Sequence, residues 1–191
     1  MPSAFTHAIV GASAAQMLPA SVPKPRTALL LAALAVAPDL DVLAFGFGIP
    51  YGHMFGHRGF SHSLVCAALL AAPVAFLVCR WADNKGRATL LRIWLIAFAV
   101  VASHGFLDAA TDAGRGIGFL ITFSDHRFFL PFRPIQTSSV NPTRFFSTRG
   151  LQILGCEALW VWLPLGLATM LLHWSRWRRG SSSSVSLGRS A

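Results

Sequence analysis

The chain has 191 residues, of which 54% are hydrophobic and only 12% charged, against about 25% charged in an ordinary soluble domain. A formal net charge of +9 would suggest a nucleic-acid partner in a soluble protein. Here the cations stand in short clusters between apolar runs, so they report membrane topology and no nucleic-acid binding is expected. The composition excludes a typical soluble enzyme and leaves an integral membrane protein with one compact unit, residues 1–180, followed by a Ser-rich tail, 181–191, of disordered composition.

Met1 to Ala20 is kept as mature structure, because no Lys or Arg precedes its apolar part and the charged start of a signal peptide is missing. Phe5 to Leu18 reads as a short apolar helix ended by Pro19 and Pro23. A second helix runs from about Thr27 to Pro38, where Asp39 and Asp41 appear. Gly46, Gly48, Pro50 and Gly52 then mark a loop leading to His53 and His57. From His62 a third helix continues to Arg80, and a fourth, about Leu90 to Thr111, acquires His104, Asp108 and Asp112 near its end. Ala113 to Gly150 is a long irregular stretch. The fifth helix spans about Leu151 to His173. Cys66, Cys79 and Cys156 each lie in an apolar run and give no disulfide framework. The expected fold class is all-α, a multi-pass membrane helical bundle of about five spans with one long irregular loop after the fourth.

Orientation follows from the cations. Five spans obey the positive-inside rule if Lys24 and Arg26, the Arg80 to Arg92 group and the Arg176 to Arg179 group face the cytoplasm. Arg115, Arg127, Arg133, Arg144 and Arg149 then fall in the long outer loop, where an anionic substrate would find them. At 1.5 Å per residue, His7 lies about 26 Å from Lys24 and Asp39 and Asp41 about 20 to 23 Å from Arg26. His62 lies about 27 Å from Arg80, and His104 and Asp108 about 18 to 24 Å from Arg92. Alternating helices thus carry their acids and imidazoles in one layer near the outer edge of a hydrocarbon core about 30 Å thick.

At the centre of this layer is His57-Arg58-Gly59-Phe60-Ser61-His62-Ser63, two imidazoles and a guanidinium in a Gly-hinged turn. His104 and Asp108 are four apart on one helical face, and Asp112 continues it. Asp39 and Asp41 share no helical face, so both turn inward only where Pro38 distorts the helix. Imidazoles mixed with carboxylates suit zinc or manganese better than calcium. The set exceeds the needs of one zinc, so more than one ion fits the count. The expected metal ligands are His7, Asp39, Asp41, His57, His62, His104 and Asp108. Asp41 and Asp112 also stand as catalytic carboxylates, and Arg58 as the arm for a substrate anion. Simpler readings cover the remainder: His53 and His126 face water, His173 and the Trp residues sit at interfaces, and Ser61 caps the third helix. Glu157 fits either a helix start or the site.

Thr6-His7 with Gly11, Pro38-Asp39-Leu40-Asp41, His57-Arg58-Gly59-Phe60-Ser61-His62-Ser63 and Ser103-His104-Gly105-Phe106-Leu107-Asp108 resemble, in this order, the motifs of the YdjM-type family of bacterial inner-membrane proteins. The similarity covers roughly Thr6 to Pro134 and includes Phe128-Phe129-Leu130-Pro131-Phe132-Arg133-Pro134. It implies a multi-pass, metal-dependent hydrolase with these residues as the metal site. Asp112 matches the pattern less firmly than Asp108. A more distant similarity of motif order to zinc-dependent phospholipase C enzymes suggests phosphodiester chemistry.

The expected protein is therefore an enzyme of the bacterial inner (plasma) membrane that hydrolyses an ester or phosphoester. Its site would face the extracytoplasmic side, and its partners would be the bilayer and a substrate such as a phospholipid. Arg127 and Arg133 would assist from the outer loop. Two other classes use the same residues: an ion-binding or transport protein, and a non-catalytic scaffold around a structural metal.

Overall fold

The computed structural model describes residues 1–138 and 145–187, with side chains to Arg178. Arg144 lies outside the described residues. Helix α1, Ala4–Ala14, is followed by a 3-10 turn, Ala15–Met17. Helix α2, Lys24–Val36, passes into a 3-10 segment, Ala37–Phe47. A 3-10 turn, Phe60–His62, precedes α3, Leu64–Trp81, and α4 is Arg87–Ala109. Helix α5, Thr148–Glu157, joins α6, Leu163–Leu187, through a π-helical turn, Ala158–Trp162. Helix α6 thus extends into the Ser-rich tail for which the sequence predicts disorder, and residues 188–191 lie outside the described residues.

Local chemistry explains the breaks. Ser3 caps α1, accepting from the Thr6 amide at 3.4 Å, and Ser63 caps α3, accepting from the Cys66 amide at 3.1 Å. The α-helical ladder of α2 gives way at Ala37-Pro38, because Pro38 brings no N–H and its ring opposes the carbonyl four residues back. Gly48 ends the segment at φ 75°.

Four helical segments are long and apolar enough to cross a membrane: Lys24–Phe47, Leu64–Trp81, Arg87–Ala109 and Thr148–Arg178. The fifth expected span, at the start of the chain, is not among them. Helix α1 and its 3-10 turn together rise only about 22 Å, short of a hydrocarbon core about 30 Å thick. This half-height helix lies along α2. At Gly11 a Cβ would press into the Leu31 carbonyl oxygen and come within 2.8 Å of the Ala35 Cβ, so only glycine permits the approach.

Between α3 and α4 the contact is built from small side chains. Ala67, Ala71 and Ala75 recur every fourth residue and are buried in one cluster with Ile93, Ala97 and Val101. Large apolar side chains such as Leu29, Leu69, Phe76, Leu91 and Leu95 point outward, as expected of helices whose solvent is lipid. The last helices are tied back to the first by Glu157. Its carboxylate accepts from the Ser3 amide at 2.5 Å, the Ser3 hydroxyl at 2.5 Å and the Thr6 hydroxyl at 2.6 Å, and Thr6 Oγ1 accepts from the Trp162 indole at 2.8 Å.

The stretch after α4 is irregular but ordered. Isolated bridges pair Thr111 with Ile135 and Ile117 with Phe128. Ile117, Ile121 and Ile135 are buried beneath it. Gly118 N donates to Arg58 O at 3.0 Å and Leu64 N to Phe119 O at 3.0 Å, so this loop is laid over the His57–Ser63 turn.

Gly11→Ala is expected to destabilise the protein by about 1–3 kcal/mol through overpacking. Gly155→Ala, in a helix with nothing within 4 Å of the added Cβ, should leave stability unchanged or raise it by up to about 1 kcal/mol. Thermal unfolding of both variants in detergent checks the pair.

Candidate metal centre

Four chain segments bring one atom each to a single point. Asp39 arrives on the 3-10 segment after α2, His62 just before α3, and His104 and Asp108 one turn apart near the end of α4. One ligand atom from each of the four lies within 4.8 Å of the others, and all four residues are buried. His104 Nε2 is 3.3 Å from Asp39 Oδ1 and 3.1 Å from His62 Nε2. His62 Nε2 is 3.7 Å from Asp108 Oδ2 and 3.9 Å from Asp39 Oδ1. His7 joins from α1, with Nε2 at 3.5 Å from Asp108 Oδ1 and its ring stacked on His104 at 3.7 Å between centroids.

Each imidazole is turned so that Nε2 faces the group. His104 Nδ1 lies 2.7 Å from the Ala35 carbonyl oxygen, an acceptor, so Nδ1 carries the proton and Nε2 keeps its lone pair. His62 Nδ1 lies 3.2 Å from Asp41 Oδ2, which fixes the same tautomer. Two nitrogen lone pairs at 3.1 Å have no hydrogen between them to share, and a cation answers that contact.

The oxygens tell the same story. Both carboxylate oxygens of Asp39, both of Asp108, and His7 Nε2 are buried without a hydrogen-bond partner. Native interiors satisfy nearly all such atoms. Their clustering at one point, in a mixed N and O donor set, fits a divalent cation. Charge leads to the same place: Asp39, Asp41 and Asp108 outnumber the single buried guanidinium, Arg58, by two.

Several expected ligands stand behind this group. Asp41 is fully engaged elsewhere: Oδ1 meets His57 Nδ1 at 2.6 Å, while Oδ2 accepts from the Ser61 hydroxyl at 2.5 Å and the Arg58 amide at 3.0 Å. It orients His62 and ties the turn together. His57 bonds Asp41 and lies edge-on to the His62 ring at 5.7 Å, outside the four-residue group.

Arg58 is turned inward and 1% exposed. Nε contacts Asp108 Oδ2 at 3.1 Å, and the two Nη atoms donate to Ala113 O at 3.0 Å and Thr111 Oγ1 at 3.2 Å. The arm expected to reach for a substrate anion thus holds Asp108 in place. Its backbone has φ 64°, rare outside glycine, and the fold compensates with the amide bond to Asp41.

Asp112 is exposed and turned away from the group. Its Oδ1 accepts from Thr137 N at 2.8 Å and Thr137 Oγ1 at 2.7 Å. Its burial, though slight, pushes the carboxyl up, but the Thr137 bonds outweigh this and hold it below the usual range.

Ser61 bonds Asp41, and the cap it was expected to provide comes from Ser63. Glu157 belongs to the clip on Ser3 and Thr6. Arg127 donates to the carbonyls of Tyr51, His53, His57 and Arg58 at 3.1 to 3.4 Å, clamping the turn. Arg133 stacks over the Phe129 ring. Sequence reasoning did not find the Ala35 carbonyl or Thr111. A carbonyl leaves no side-chain signal, whereas Thr111, one turn beyond the His104 and Asp108 face, lay within reach of the spacing argument.

Fold and site together define a multi-pass helical membrane protein with a buried group of Asp and His residues able to hold a metal ion. The chain belongs to the YdjM inner membrane protein family, whose family model matches residues 1–180. It is 41% identical over 179 residues to Inner membrane protein YbcI of Escherichia coli (strain K12), an alignment that covers 94% of this chain and 99% of that protein. No solved structure matches. Inner-membrane localisation follows from the family together with the apolar helices.

Asp41→Asn cannot accept from His57, Ser61 and His62 at once, so metal affinity should fall about 10–100-fold in a protein that still folds. Asp112→Asn should leave it unchanged. Competition titration against a metal-binding dye, alongside circular dichroism, measures both.

Proposed function

We propose that this chain is a membrane-bound, metal-dependent hydrolase acting on an ester or phosphoester, with a lipid as the substrate class. The observation that carries the reading is the convergence of Asp39, His62, His104 and Asp108, with four buried carboxylate oxygens lacking hydrogen-bond partners. The mixed imidazole and carboxylate set favours zinc or manganese. Such a metal supplies an acidified water and a positive charge for a phosphoryl or carbonyl oxygen.

The chain's own residues have distinct tasks in this reading. His62 and His104 present Nε2 as donors, oriented by Asp41 and by the Ala35 carbonyl. Arg58 holds the Asp108 carboxylate in register. Asp39, as a residue 8% exposed against 0% for Asp108, is the less enclosed of the two and in this reading takes a proton from water. The cation clusters, read by the positive-inside rule, support an extracytoplasmic position for this layer near headgroup depth, and on that reading a lipid substrate is favoured.

A second reading, a structural metal site in a scaffold, draws on the site's enclosure: His62, His104 and Asp108 are at most 4% exposed. Closed sites are the habit of structural metals.

The test is purification in detergent, metal analysis, and assay against a phospholipid and a soluble ester. Activity is expected to vanish with chelator and return with zinc or manganese. His62→Ala is expected to be folded and inactive. Loss of folding in that variant, with no turnover by the loaded wild type, supports the scaffold instead. Absence of any bound transition metal, with no response to added zinc or manganese, overturns both.

A further inference from the structure

At the opposite end of the bundle from the metal centre, three cations from three helices meet around one cavity. Lys24 opens α2, Arg92 lies in the second turn of α4, and Arg176 is on α6. With Met17, Leu18, Pro19 and Ala20 they line a space of about 300 Å³. None of the three makes an ion pair with a carboxylate among the described residues. Lys24 Nζ is held against the wall by the carbonyls of Leu18 at 2.6 Å and Pro19 at 2.9 Å, so one of its three N–H donors is left for a ligand. Lys24 and Arg176 repel each other here, and an anion between the cations relieves that repulsion.

A second observation sets the shape of that anion. Met17 also lines a neighbouring cleft of about 490 Å³ that runs between α1, α4 and α6 past Val10, Leu95, Ala99, Leu165 and Leu172. This cleft is apolar almost throughout. Its walls are the second half of α1 with its 3-10 turn, the middle of α4 and the middle of α6. A cationic pocket opening into an apolar cleft at one shared residue is complementary to an amphiphile: a phosphate at the end of an acyl chain.

We propose that this end of the bundle is a binding site for an anionic phospholipid. Its phosphate is held by Lys24, Arg92 and Arg176, and one acyl chain lies in the cleft beyond Met17. The twelve-residue step along α4 from Arg92 to His104 sets the cations about 18 Å from the metal centre, so the phosphate pocket is distinct from that centre, while the cleft beyond it runs as far as Ser103. By the positive-inside rule it faces the cytoplasmic leaflet, where the anionic lipids that basic pockets between membrane helices bind are found.

The test uses the full chain in neutral detergent, with dioleoylphosphatidylglycerol, dioleoylphosphatidylcholine and inorganic phosphate as probes and native mass spectrometry as the readout. Phosphatidylglycerol should bind in preference to phosphatidylcholine. Arg92→Gln with Arg176→Gln should weaken it by about 30-fold, at roughly 1 kcal/mol for each cation near the headgroup. Arg115→Gln with Arg133→Gln removes as much charge from the other end and should leave binding intact. Arg176→Gln alone, at an exposed position, gives the same direction of change should the double variant not fold. Equal binding of the two lipids, or equal losses in both double variants, overturns the proposal. So does displacement of the phosphatidylglycerol by inorganic phosphate at matching concentration, which would make this a site for free phosphate.

Discussion

Two carboxylates buried without hydrogen-bond partners, Asp39 and Asp108, are what the rest of the structure answers to. An isolated carboxylate in a medium of low dielectric is too costly to keep unless charge and hydrogen bonds surround it. Arg58 supplies one positive charge, 3.1 Å from Asp108. With Asp41 counted and the imidazoles neutral, the buried cluster still lacks two positive charges, which is what one divalent cation brings. The His62 and His104 nitrogens facing each other at 3.1 Å raise the same demand from the side of the lone pairs. Carboxylates and imidazoles therefore converge on a group that could hold a positive ion between them.

Holding such a group open requires rigidity, and the His57–Ser63 turn provides it in layers. Asp41 accepts from the Arg58 amide and the Ser61 hydroxyl and contacts both His57 and His62, so one carboxylate ties four positions of the turn together. At Gly59 a Cβ would press into the Met54 carbonyl oxygen and lie 2.8 Å from the Gly56 oxygen, so the hinge read from sequence is also a packing requirement. Arg127 closes the turn by donating to two of its carbonyls, His57 and Arg58, and to two of the loop before it, Tyr51 and His53. The loop that carries Arg127 looks shapeless in sequence because its order comes from these contacts and from three buried isoleucines.

The matching heights of His7, Asp39, His62, His104 and Asp108 could be read from the chain because helical rise converts residue count into depth. Which of them meet, and which stand behind, could not. Asp41 and His57 have the same residue types and nearly the same depth as the four that converge. Only the 3-10 winding after Pro38 sends Asp39 inward and leaves Asp41 behind His62. Asp112 stands apart from the group for a simple reason: α4 ends at Ala109, so the helical face that the spacing extends to Asp112 does not exist there. The extra span was inferred from hydropathy, which measures how oily a segment is and not whether its 14 residues reach across. The charge of Arg58 is visible in the chain, whereas its left-handed backbone and its contact with Asp108 are tertiary facts.

The placement of charge along α4 shows which forces set the helix's position. Its cations, Arg87 and Arg92, stand in the first two turns, and its acid, Asp108, in the last. The helix macrodipole favours the reverse, by about 0.3–1 kcal/mol for each group. Helix α2 repeats the inversion, with Lys24 and Arg26 in its first turn and Asp39 just beyond its end. Helix stability did not choose this pattern. Bilayer topology accounts for the cations and the metal centre for the acids, and the two demands fix each helix from both ends. Arg92 and Asp108 are separated by about 24 Å of helix, most of the height of a hydrocarbon core about 30 Å thick. Sliding the helix vertically in either direction would drag a charge into lipid, and so the depth of the site is set by the distance between its acids and the cations of the opposite face.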